Sequence, residues 1–306
     1  MRRTDVVILG AGIVGVCAAL ALQEKGRTVA LVDRRGAAGL ETSFGNAGLI
    51  ERSSIFPYLF PRDPLKLIKY ALNLLPEAHY QLSALPQVAP WLWRYFRDSG
   101  PDRSAKIFEA FRPLIEHSIS THEPLIAAAG AGALLRRDGW LKVYRRESSL
   151  TAATAEIARL RDYGLTIDLL DPGALAAREP ALAPVLGGAH FRDTASITDP
   201  GALSKAYANL FLARGGVLLA GEARSLCEDP SGWRVDTEGG PLIAKEAVVA
   251  LGPWSDEIFR PRGYRIPLGV KRGYHMHFAP GAGAGLNHPV LDADGGYVLA
   301  PMARAV

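Results

Sequence analysis

The architecture of this chain is set by the segment Asp5-Val-Val-Ile-Leu-Gly-Ala-Gly-Ile-Val-Gly15. Its apolar run, Val6 to Leu9, is typical of a parallel strand that is covered on both faces. Glycines follow at positions 10, 12 and 15, in the G-x-G-x-x-G spacing. The first permits a tight turn, the second lets a pyrophosphate approach the backbone, and the third permits close packing of a helix on the strand. The segment predicts a dinucleotide-binding turn; the alternative is a glycine-rich turn without a ligand.

A second strand and its final acidic residue continue this pattern. Apolar residues recur at helical spacing from Val14 to Leu22, Gly26 is placed to end the helix, and Thr28 to Val32 predicts the second strand. Asp33 closes that strand, where a carboxylate can accept hydrogen bonds from both ribose hydroxyls of an adenosine and repel a 2′-phosphate. The dinucleotide is therefore NAD or FAD.

Composition narrows the class of protein. The chain has 306 residues, 48% of them hydrophobic and 22% charged, which is ordinary for a globular protein with room for two domains. The net charge of +4 is spread over 35 basic and 31 acidic residues, so we expect no nucleic-acid partner. Cys17 and Cys227 alone make no disulfide framework and fit a reducing compartment. We expect no signal peptide and no membrane-spanning helix.

The loop after the second strand favours FAD over NAD. An NAD domain would continue with further helices and strands, whereas Glu41-Thr-Ser-Phe-Gly-Asn-Ala-Gly48 offers small residues, hydroxyls and an amide. Without a ligand it would be a polar Asx-type turn. With Ala250-Leu-Gly-Pro-Trp-Ser255 and Lys271-Arg-Gly-Tyr-His-Met-His-Phe278, this loop resembles the D-amino-acid-oxidase type of flavoprotein, which includes the glycine oxidases and, within it, the bacterial D-amino-acid dehydrogenases.

The resemblance implies a fold of class α/β plus α+β and an FAD cofactor. A Rossmann-type, glutathione-reductase-like FAD domain would comprise residues 1–80 and 197–260, and an antiparallel-sheet substrate domain residues 81–196 and 261–306. By residue type alone Gly252 is a turn residue, which does not require a ligand contact. The predicted cofactor contacts are Gly10, Gly12, Ile13, Val14, Gly15, Asp33, Arg34, Thr42, Ser43, Asn46, Ala47, Gly48, Ala223, Arg224, Gly252 and Trp254.

The reaction implied by the resemblance is oxidative deamination of a D-amino acid to an imine, which hydrolyses to a 2-oxo acid and ammonia. The electrons would pass to a quinone or another acceptor. A substrate carboxylate needs a cation, which predicts Lys271 or Arg272 beside Tyr274, with Tyr297 closing the pocket. In several amine-oxidising relatives an arginine stands where this chain has Met302, which leaves other positions open for the clamp. The alternatives are a glycine- or sarcosine-type amine oxidase, an NAD enzyme, and an FAD-binding protein without turnover.

The predicted substrate domain contains three elements that the structure can test. Residues 105–129 predict one long helix, Leu134 to Arg146 a hairpin turned at Asp138-Gly139, and Val270 to Phe278 an alternating strand. His275 and His277 would share one face of that strand, but a zinc site needs more ligands than this pair, so we expect no metal.

Two further expectations concern the surroundings of the protein. Trp91, Trp93 and Arg94 fit either an interfacial membrane anchor or a helix packed on the substrate domain. We expect a cytoplasmic location, with any membrane contact being peripheral and at the inner face of the plasma membrane. Because the final strand continues to Val306 without a polar tail, we also expect a chain that is incomplete at its C-terminus and has little turnover.

Overall fold

The computed structural model describes residues 2–75, 80–270 and 273–303, which divide into two compact units. The first unit comprises Met1–Asn46, Pro124–Leu134 and Asp199–Met276, and the second comprises Ala47–Glu123, Leu135–Thr198 and His277–Val306. Within the described ranges, no helix is long and apolar enough to cross a bilayer.

Helices and strands follow one another along both units. The strands are β1 Arg2–Leu9, β2 Val29–Asp33, β3 Leu49–Ile50, β4 Leu135–Arg136, β5 Trp140–Tyr144, β6 Ile167–Leu170, β7 Gly187–Phe191, β8 Ala195–Ile197, β9 Val217–Asp229, β10 Gly232–Thr237, β11 Gly240–Val249, β12 Val290–Asp292 and β13 Tyr297–Leu299. The α-helices are α1 Ile13–Glu24, α2 Pro64–Ala71, α3 Leu85–Asp98, α4 Pro101–Glu116, α5 Ser118–Ala128, α6 Glu147–Arg161, α7 Pro172–Arg178, α8 Pro200–Ala213 and α9 Asp256–Phe259. Single 3-10 turns are formed by Leu82–Ala84, Gly132–Leu134, Gly252–Trp254 and Arg260–Arg262.

The first unit is built on a five-stranded sheet that closes on itself in the order β1-β11-β10-β9-β2. Strand β1 pairs in parallel with β2 and β11, and β2 pairs in parallel with β9, while β9, β10 and β11 form an antiparallel meander. Residues 6–9 of β1 are buried, as expected for an apolar run between two covered faces. This parallel core sets the edge at which α1 begins.

Helices α1 and α8 pack together in the first unit. Tyr207 and Phe211 of α8 are fully buried. Burial of a large apolar side chain adds about 1.5–3 kcal/mol to the free energy of unfolding, because its surface is removed from water. Burial raises the pKa of the Cys17 thiol in α1 to about 11, so this cysteine remains a protonated packing residue at neutral pH.

The second unit contains a five-stranded sheet in the order β13-β12-β5-β7-β6 and a small antiparallel sheet in the order β3-β8-β4. Strands β5, β6 and β7 are antiparallel, but β12 pairs with β5 in parallel. The sheet is therefore mixed, and the predicted purely antiparallel sheet is wrong at this pair. Helix α6 covers the sheet with Ile157 and Leu160, which pack in one core cluster with Trp140 and Phe191.

The predicted hairpin at Asp138-Gly139 does not form. Strand β4 pairs with β8, whereas β5 pairs with β7 and β12, so the two strands flanking this turn belong to different sheets. Gly139 is needed for another reason: a Cβ there would lie 2.5 Å from the carbonyl oxygen of Phe191. The glycine permits a close approach of two backbones, which the sequence alone did not reveal.

The helix predicted over residues 105–129 is two helices, α4 and α5, separated at His117. The hydroxyls of Ser120 and Thr121 donate to the His117 carbonyl oxygen at 3.2 and 2.8 Å. Such side-chain bonds compete with the regular helical ladder, and they occur where one helix gives way to the next.

The predicted strand over residues 270–278 is also wrong for its described residues, which lie outside any strand. Tyr274 is 92% exposed and Met276 75% exposed. An alternating pattern produces a strand only where an edge is available for pairing, and no described strand pairs with this segment.

The boundaries of the units differ from the predicted domain limits. Residues 47–75 belong to the second unit, because Leu49 and Ile50 pair with β8 and the ring of Phe60 packs 5.3 Å from that of Tyr95. Residues 124–134 and 261–276 belong to the first unit. These units do not coincide with the predicted domain limits at residues 80 and 260, which stay a prediction.

Candidate functional site

A cavity of about 540 Å³ lies in the first unit, at the carboxyl ends of β1 and β2 where α1 begins. In the parallel part of such a sheet, the carboxyl ends of the strands are the usual place for a ligand. The wall of the cavity includes Gly10, Ala11, Gly12, Ile13, Val14, Val32, Asp33, Arg34, Gly39, Leu40, Glu41, Thr42, Ser43, Glu222, Ala223, Arg224, Val249, Ala250, Leu251, Gly252, Pro253, Trp254, Ser255, Glu257 and Ile258.

The turn from β1 into α1 has room only for glycine at two positions. Gly10 has a φ of +101°, and a Cβ there would lie 2.5 Å from the carbonyl oxygen of Ala250. A Cβ on Gly15 would lie 2.0 Å from the carbonyl oxygen of Gly10. These contacts fix the tight turn and the close helix packing that the glycine spacing predicts, and they leave backbone exposed to the cavity.

The N-terminus of α1 forms one wall of this cavity. Gly12 is its N-cap and supplies no side-chain hydrogen bond, while the Ile13 N–H donates to Ser43 Oγ at 2.9 Å. This bond ties the loop after β2 to the start of the helix. The free amides and dipole of a helix N-terminus favour an anionic group such as a phosphate.

The carboxylate of Asp33 is held by backbone groups. Its Oδ2 accepts from the Ala11 N–H at 3.0 Å and its Oδ1 from the Arg35 N–H at 2.9 Å. An ionised carboxylate has about four lone-pair positions, so acceptor capacity remains on the side of the cavity for two hydroxyl donors. This arrangement suits an adenosine ribose at the end of β2.

Ion pairs surround the outer part of the cavity. Glu41 accepts from Arg34 at 2.6 Å and from Arg35 at 2.8 Å, and these bonds hold the pKa of Glu41 below its usual range. The guanidinium of Arg34 lies 4.9 Å from the ring centroid of Trp254. Glu41 was not among the predicted site residues, because nothing local in the sequence indicates that it folds back onto Arg34.

A second ion pair lies on the same cavity wall. Arg224 Nε donates to Glu257 Oε2 at 2.8 Å, which lowers the pKa of Glu257 and raises that of Arg224. Both side chains are well exposed, so solvent screens the pair and its contribution to stability is small. The pairing instead fixes where these two side chains lie along the cavity.

The predicted cofactor residues fall into two groups. Those that line the cavity are Gly10, Gly12, Ile13, Val14, Asp33, Arg34, Thr42, Ser43, Ala223, Arg224, Gly252 and Trp254. Gly15 does not line the cavity, and Asn46 donates to the Ser43 carbonyl oxygen at 3.1 Å. Ala47 and Gly48 belong to the second unit, where a Cβ on Gly48 would lie 2.1 Å from the Ile197 carbonyl oxygen.

Of the predicted substrate residues, the structure describes Tyr274 and Tyr297. Arg272, like Lys271, lies outside the described residues, and Tyr274 is exposed in the first unit. In the second unit, the Tyr297 hydroxyl donates to Asp292 Oδ2 at 3.1 Å, and Arg145 Nε donates to the same oxygen at 2.6 Å. Burial by itself raises the pKa of Asp292, but these bonds outweigh it and hold the pKa below its usual range.

Potential metal ligands do not cluster in the described part of the chain. Over residues 2–75, 80–270 and 273–303, no group of three or more His, Cys, Asp or Glu side chains could hold a metal ion.

The sequence matches the family model described as FAD dependent oxidoreductase over residues 5–305. This match covers nearly the whole chain, and the chain therefore belongs to that family. The predicted family and its FAD cofactor are thereby confirmed, and the mixed sheets with helices are the fold of this family.

Two curated relatives of this chain are D-amino acid dehydrogenases. The chain is 31% identical over 282 residues to the D-amino acid dehydrogenase of Rhodopseudomonas palustris (strain HaA2), covering 89% of this chain and 65% of the relative. It is 33% identical over 283 residues to the D-amino acid dehydrogenase of Cereibacter sphaeroides (strain ATCC 17029 / ATH 2.4.9), covering 89% and 63%. The chain thus spans just under two thirds of the length of these relatives.

A solved structure supports the fold. The glycine oxidase from Geobacillus kaustophilus superposes with a TM-score of 0.59 at 22% sequence identity, covering 86% of this chain and 59% of the other. At this identity the likeness concerns the fold alone.

Proposed function

We propose that the chain binds FAD in the cavity of the first unit and belongs to an enzyme that oxidises D-amino acids. The observation that carries the proposal is the carboxylate of Asp33, held by two backbone amides beside a glycine turn and a helix N-terminus. That combination fits an adenosine diphosphate group. We further propose that the first unit is a Rossmann-type domain related to glutathione reductase.

The wall of the cavity fits FAD segment by segment. Asp33 would accept from the ribose hydroxyls, and the N–H groups of Gly12 and Val14 would donate to the pyrophosphate. The N–H groups of Ala11 and Ile13 already donate to Asp33 and Ser43. Thr42 and Ser43 continue along the cofactor, while Ala223, Arg224, Gly252 and Trp254 lie on the remaining wall. Asn46, Ala47 and Gly48 do not line this cavity, so their predicted contacts remain predictions.

The reaction we propose converts a D-amino acid to an imine, which water hydrolyses to a 2-oxo acid and ammonia. FAD, when bound, supplies the acceptor for the hydride that leaves the substrate Cα. The chain's own contribution is to hold the cofactor, orient the substrate and exclude water. The role of Arg272, Tyr274 and Tyr297 in binding the substrate carboxylate remains a prediction, as do a quinone as the final acceptor and a location at the cytoplasmic face of the membrane.

An absorbance spectrum tests both parts of this proposal. The purified protein, supplied with FAD and kept free of oxygen, is mixed in turn with D-alanine, L-alanine, glycine and sarcosine. We expect flavin bands that D-alanine bleaches slowly, in keeping with the little turnover that the sequence predicts, and that L-alanine leaves unchanged. Bleaching by glycine or sarcosine alone would identify a different amine oxidase, and bands that no substrate bleaches would contradict turnover by this chain. A protein that takes up no flavin would overturn the cofactor site itself.

A further inference from the structure

Glu41 holds both of the arginines that follow Asp33. Its Oε1 accepts from Arg34 Nη2 at 2.6 Å and from Arg35 Nε at 2.8 Å. Hydrogen bonds between ionised groups are short and about twice as strong as those between neutral groups. Two positive charges beside the cavity are therefore occupied by one carboxylate.

The same two arginines lie beside the carboxylate that we assign to the ribose. The Arg35 N–H donates to Asp33 Oδ1 at 2.9 Å, and Arg34 is the next residue after Asp33. The bond to Glu41 raises the pKa of Arg34, and the charges of Asp33 and Glu222 add to this rise. The guanidinium of Arg34 therefore lies within the electrostatic field of Asp33.

Stacking gives Arg34 a second contact at the cavity. Its guanidinium lies 4.9 Å from the ring centroid of Trp254, which lines the same cavity. A cation over an indole ring is attracted to the face of the ring even at an exposed site. Because this contact does not involve Glu41, we expect Arg34 to stay at the cavity wall when the Glu41 carboxylate is removed.

The remaining charges on the described cavity wall are arranged in the same way. The acidic residues that line the cavity are Asp33, Glu41, Glu222 and Glu257, and the basic residues are Arg34 and Arg224. Arg224 Nε donates to Glu257 Oε2 at 2.8 Å, and the Arg224 N–H donates to Glu222 Oε1 at 3.1 Å. Each arginine of this described wall therefore has a carboxylate partner, and carboxylates outnumber arginines. Away from the helix N-terminus, the wall disfavours an additional anionic group.

A 2′-phosphate on the adenosine ribose would enter this part of the cavity. Sites that accept such a phosphate have an arginine near the ribose, whereas sites that reject it have an acidic residue that binds the 2′-hydroxyl. This chain has both features, Asp33 and the two arginines after it. The choice between the two kinds of nucleotide therefore depends on whether the arginines are available.

We propose that Glu41 is a specificity-determining residue: by occupying Arg34 and Arg35, it keeps the cavity from accepting nucleotides with a 2′-phosphate on the adenosine ribose. Without Glu41, the two guanidiniums would be free to bind that phosphate and to offset its repulsion by Asp33. Glu41 acts through the arginines. The inference rests on the proposed place of the adenosine beside Asp33.

Isothermal titration calorimetry with two nucleotides tests this role. The full chain, freed of flavin, is titrated with ADP-ribose and with 2′-phospho-ADP-ribose, which differ only in the phosphate. We expect the original protein to bind ADP-ribose more tightly. In Glu41→Gln, the affinity for 2′-phospho-ADP-ribose should rise about fivefold while that for ADP-ribose stays the same. The rise should shrink as the salt concentration increases, because ions screen exposed charges.

Further variants separate this role from a structural one. Glu41→Asp keeps the negative charge and should retain the original preference. Glu24→Gln removes a carboxylate of the same unit that pairs with Arg214 at 3.2 Å and does not line the cavity, so both affinities should stay unchanged. The triple variant Glu41→Gln, Arg34→Gln, Arg35→Gln should lose the gain, because it lacks the guanidiniums that would bind the phosphate.

The outcomes distinguish this inference from the proposed function. An unchanged ratio of the two affinities in Glu41→Gln would overturn the role of Glu41, as would an equal gain in Glu24→Gln or a gain that persists in the triple variant. Each of these results would leave the cofactor site in place, provided that ADP-ribose and FAD still bind. A protein that binds neither ADP-ribose nor FAD would overturn the proposed function, and this inference with it.

Discussion

The turn beside the cavity of the first unit is held by backbone groups, whereas a polar cluster of the second unit is centred on the side chain of Glu179. Around the cavity, glycines at 10 and 15 leave space and backbone amides hold Asp33. In the second unit, the fully buried Glu179 accepts from the N–H groups of Asn287 and His288 at 2.9 and 2.6 Å. We therefore expect the first site to be destabilised by substitutions that add atoms, and the second by substitutions that remove them.

Glu179 closes a larger arrangement of charged and polar groups in the second unit. It also contacts His288 Nδ1 at 2.6 Å, and the rings of His288 and His190 are 5.1 Å apart. His190 Nε2 lies 2.7 Å from the Asp138 carbonyl oxygen and must donate to it, so its Nδ1 accepts from Arg178. Each group thus satisfies its neighbour, and none can be removed without leaving a buried polar atom unpaired.

The largest expected effect comes from adding one carbon atom to the cavity turn. Gly10→Ala would place a Cβ 2.5 Å from the Ala250 carbonyl oxygen at a φ of +101°. Overpacking and left-handed strain together should destabilise the first unit by about 3–5 kcal/mol and abolish flavin retention. Urea unfolding followed by circular dichroism measures the first effect, and the absorbance of the purified protein the second.

Gly26→Ala is the matched control, since Gly26 also has a positive φ but a Cβ added there would meet no atom within 4 Å. We expect a cost of about 1–2 kcal/mol and normal flavin content. Equal losses in the two variants would show that backbone strain, and not the crowded turn, determines the result.

The removal of atoms from the second site should have the next largest effect. Glu179→Ala leaves the two backbone amides of Asn287 and His288 without an acceptor, which we expect to destabilise the second unit by about 2–3 kcal/mol. Glu179→Gln retains one oxygen and should cost about 1 kcal/mol. Urea unfolding followed by tryptophan fluorescence checks the order, and flavin content should stay normal in both. A stability unchanged by Glu179→Ala would refute the role assigned to this cluster.

The smallest effect is a pH dependence confined to the second site. Burial, with further contributions from Arg178 and His288, lowers the pKa of His190 below 6.5, against the opposing contributions of Asp138 and Asp168. The unfolded chain therefore binds more protons below pH 6.5, so stability is fully present above that pH and declines as the pH falls through the lowered pKa. The slope of the free energy of unfolding against pH cannot exceed about 1.4 kcal/mol per pH unit for this one group.

His190→Gln should flatten this slope between about pH 7 and about pH 5, as measured by urea midpoints across that range. An unaltered slope would contradict the role assigned to His190.

The sequence predicted the cavity turn of the first unit but not the polar cluster of the second unit, and the reason is physical. The turn at Gly10 to Gly15 depends on neighbours a few residues apart, so its glycines and Asp33 could be identified in advance. The hairpin at Asp138-Gly139 failed because β5 pairs with β7 and β12, whose residues are distant in the chain. The Glu179 cluster was not predicted at all, since nothing in the sequence near position 179 indicates contact with residues 287 and 288.

The same distinction applies within the candidate site. Asp33 and Arg34 follow directly from the end of β2, whereas Glu41 returns to Arg34 through a loop whose path the sequence does not determine. The alternating residues around Tyr274 predicted a strand, but alternation cannot show whether a pairing edge exists. Short-range backbone geometry was thus predictable, and contacts that depend on the assembled unit were not.

The most direct test of the central claim is the affinity of the apoprotein for FAD, measured by quenching of flavin fluorescence. Asp33→Ala removes the ribose acceptor, and we expect about a hundredfold weaker binding, because a hydrogen bond to a charged group contributes about 1.5–3 kcal/mol. Gly12→Val should prevent binding, since its side chain would occupy the pyrophosphate position beside Ser43 Oγ, which lies 3.2 Å from a Cβ at Gly12. Gly132→Val, where no atom lies within 4 Å, should bind FAD normally. Unchanged affinity in both Asp33→Ala and Gly12→Val would contradict the placement of the cofactor in this cavity.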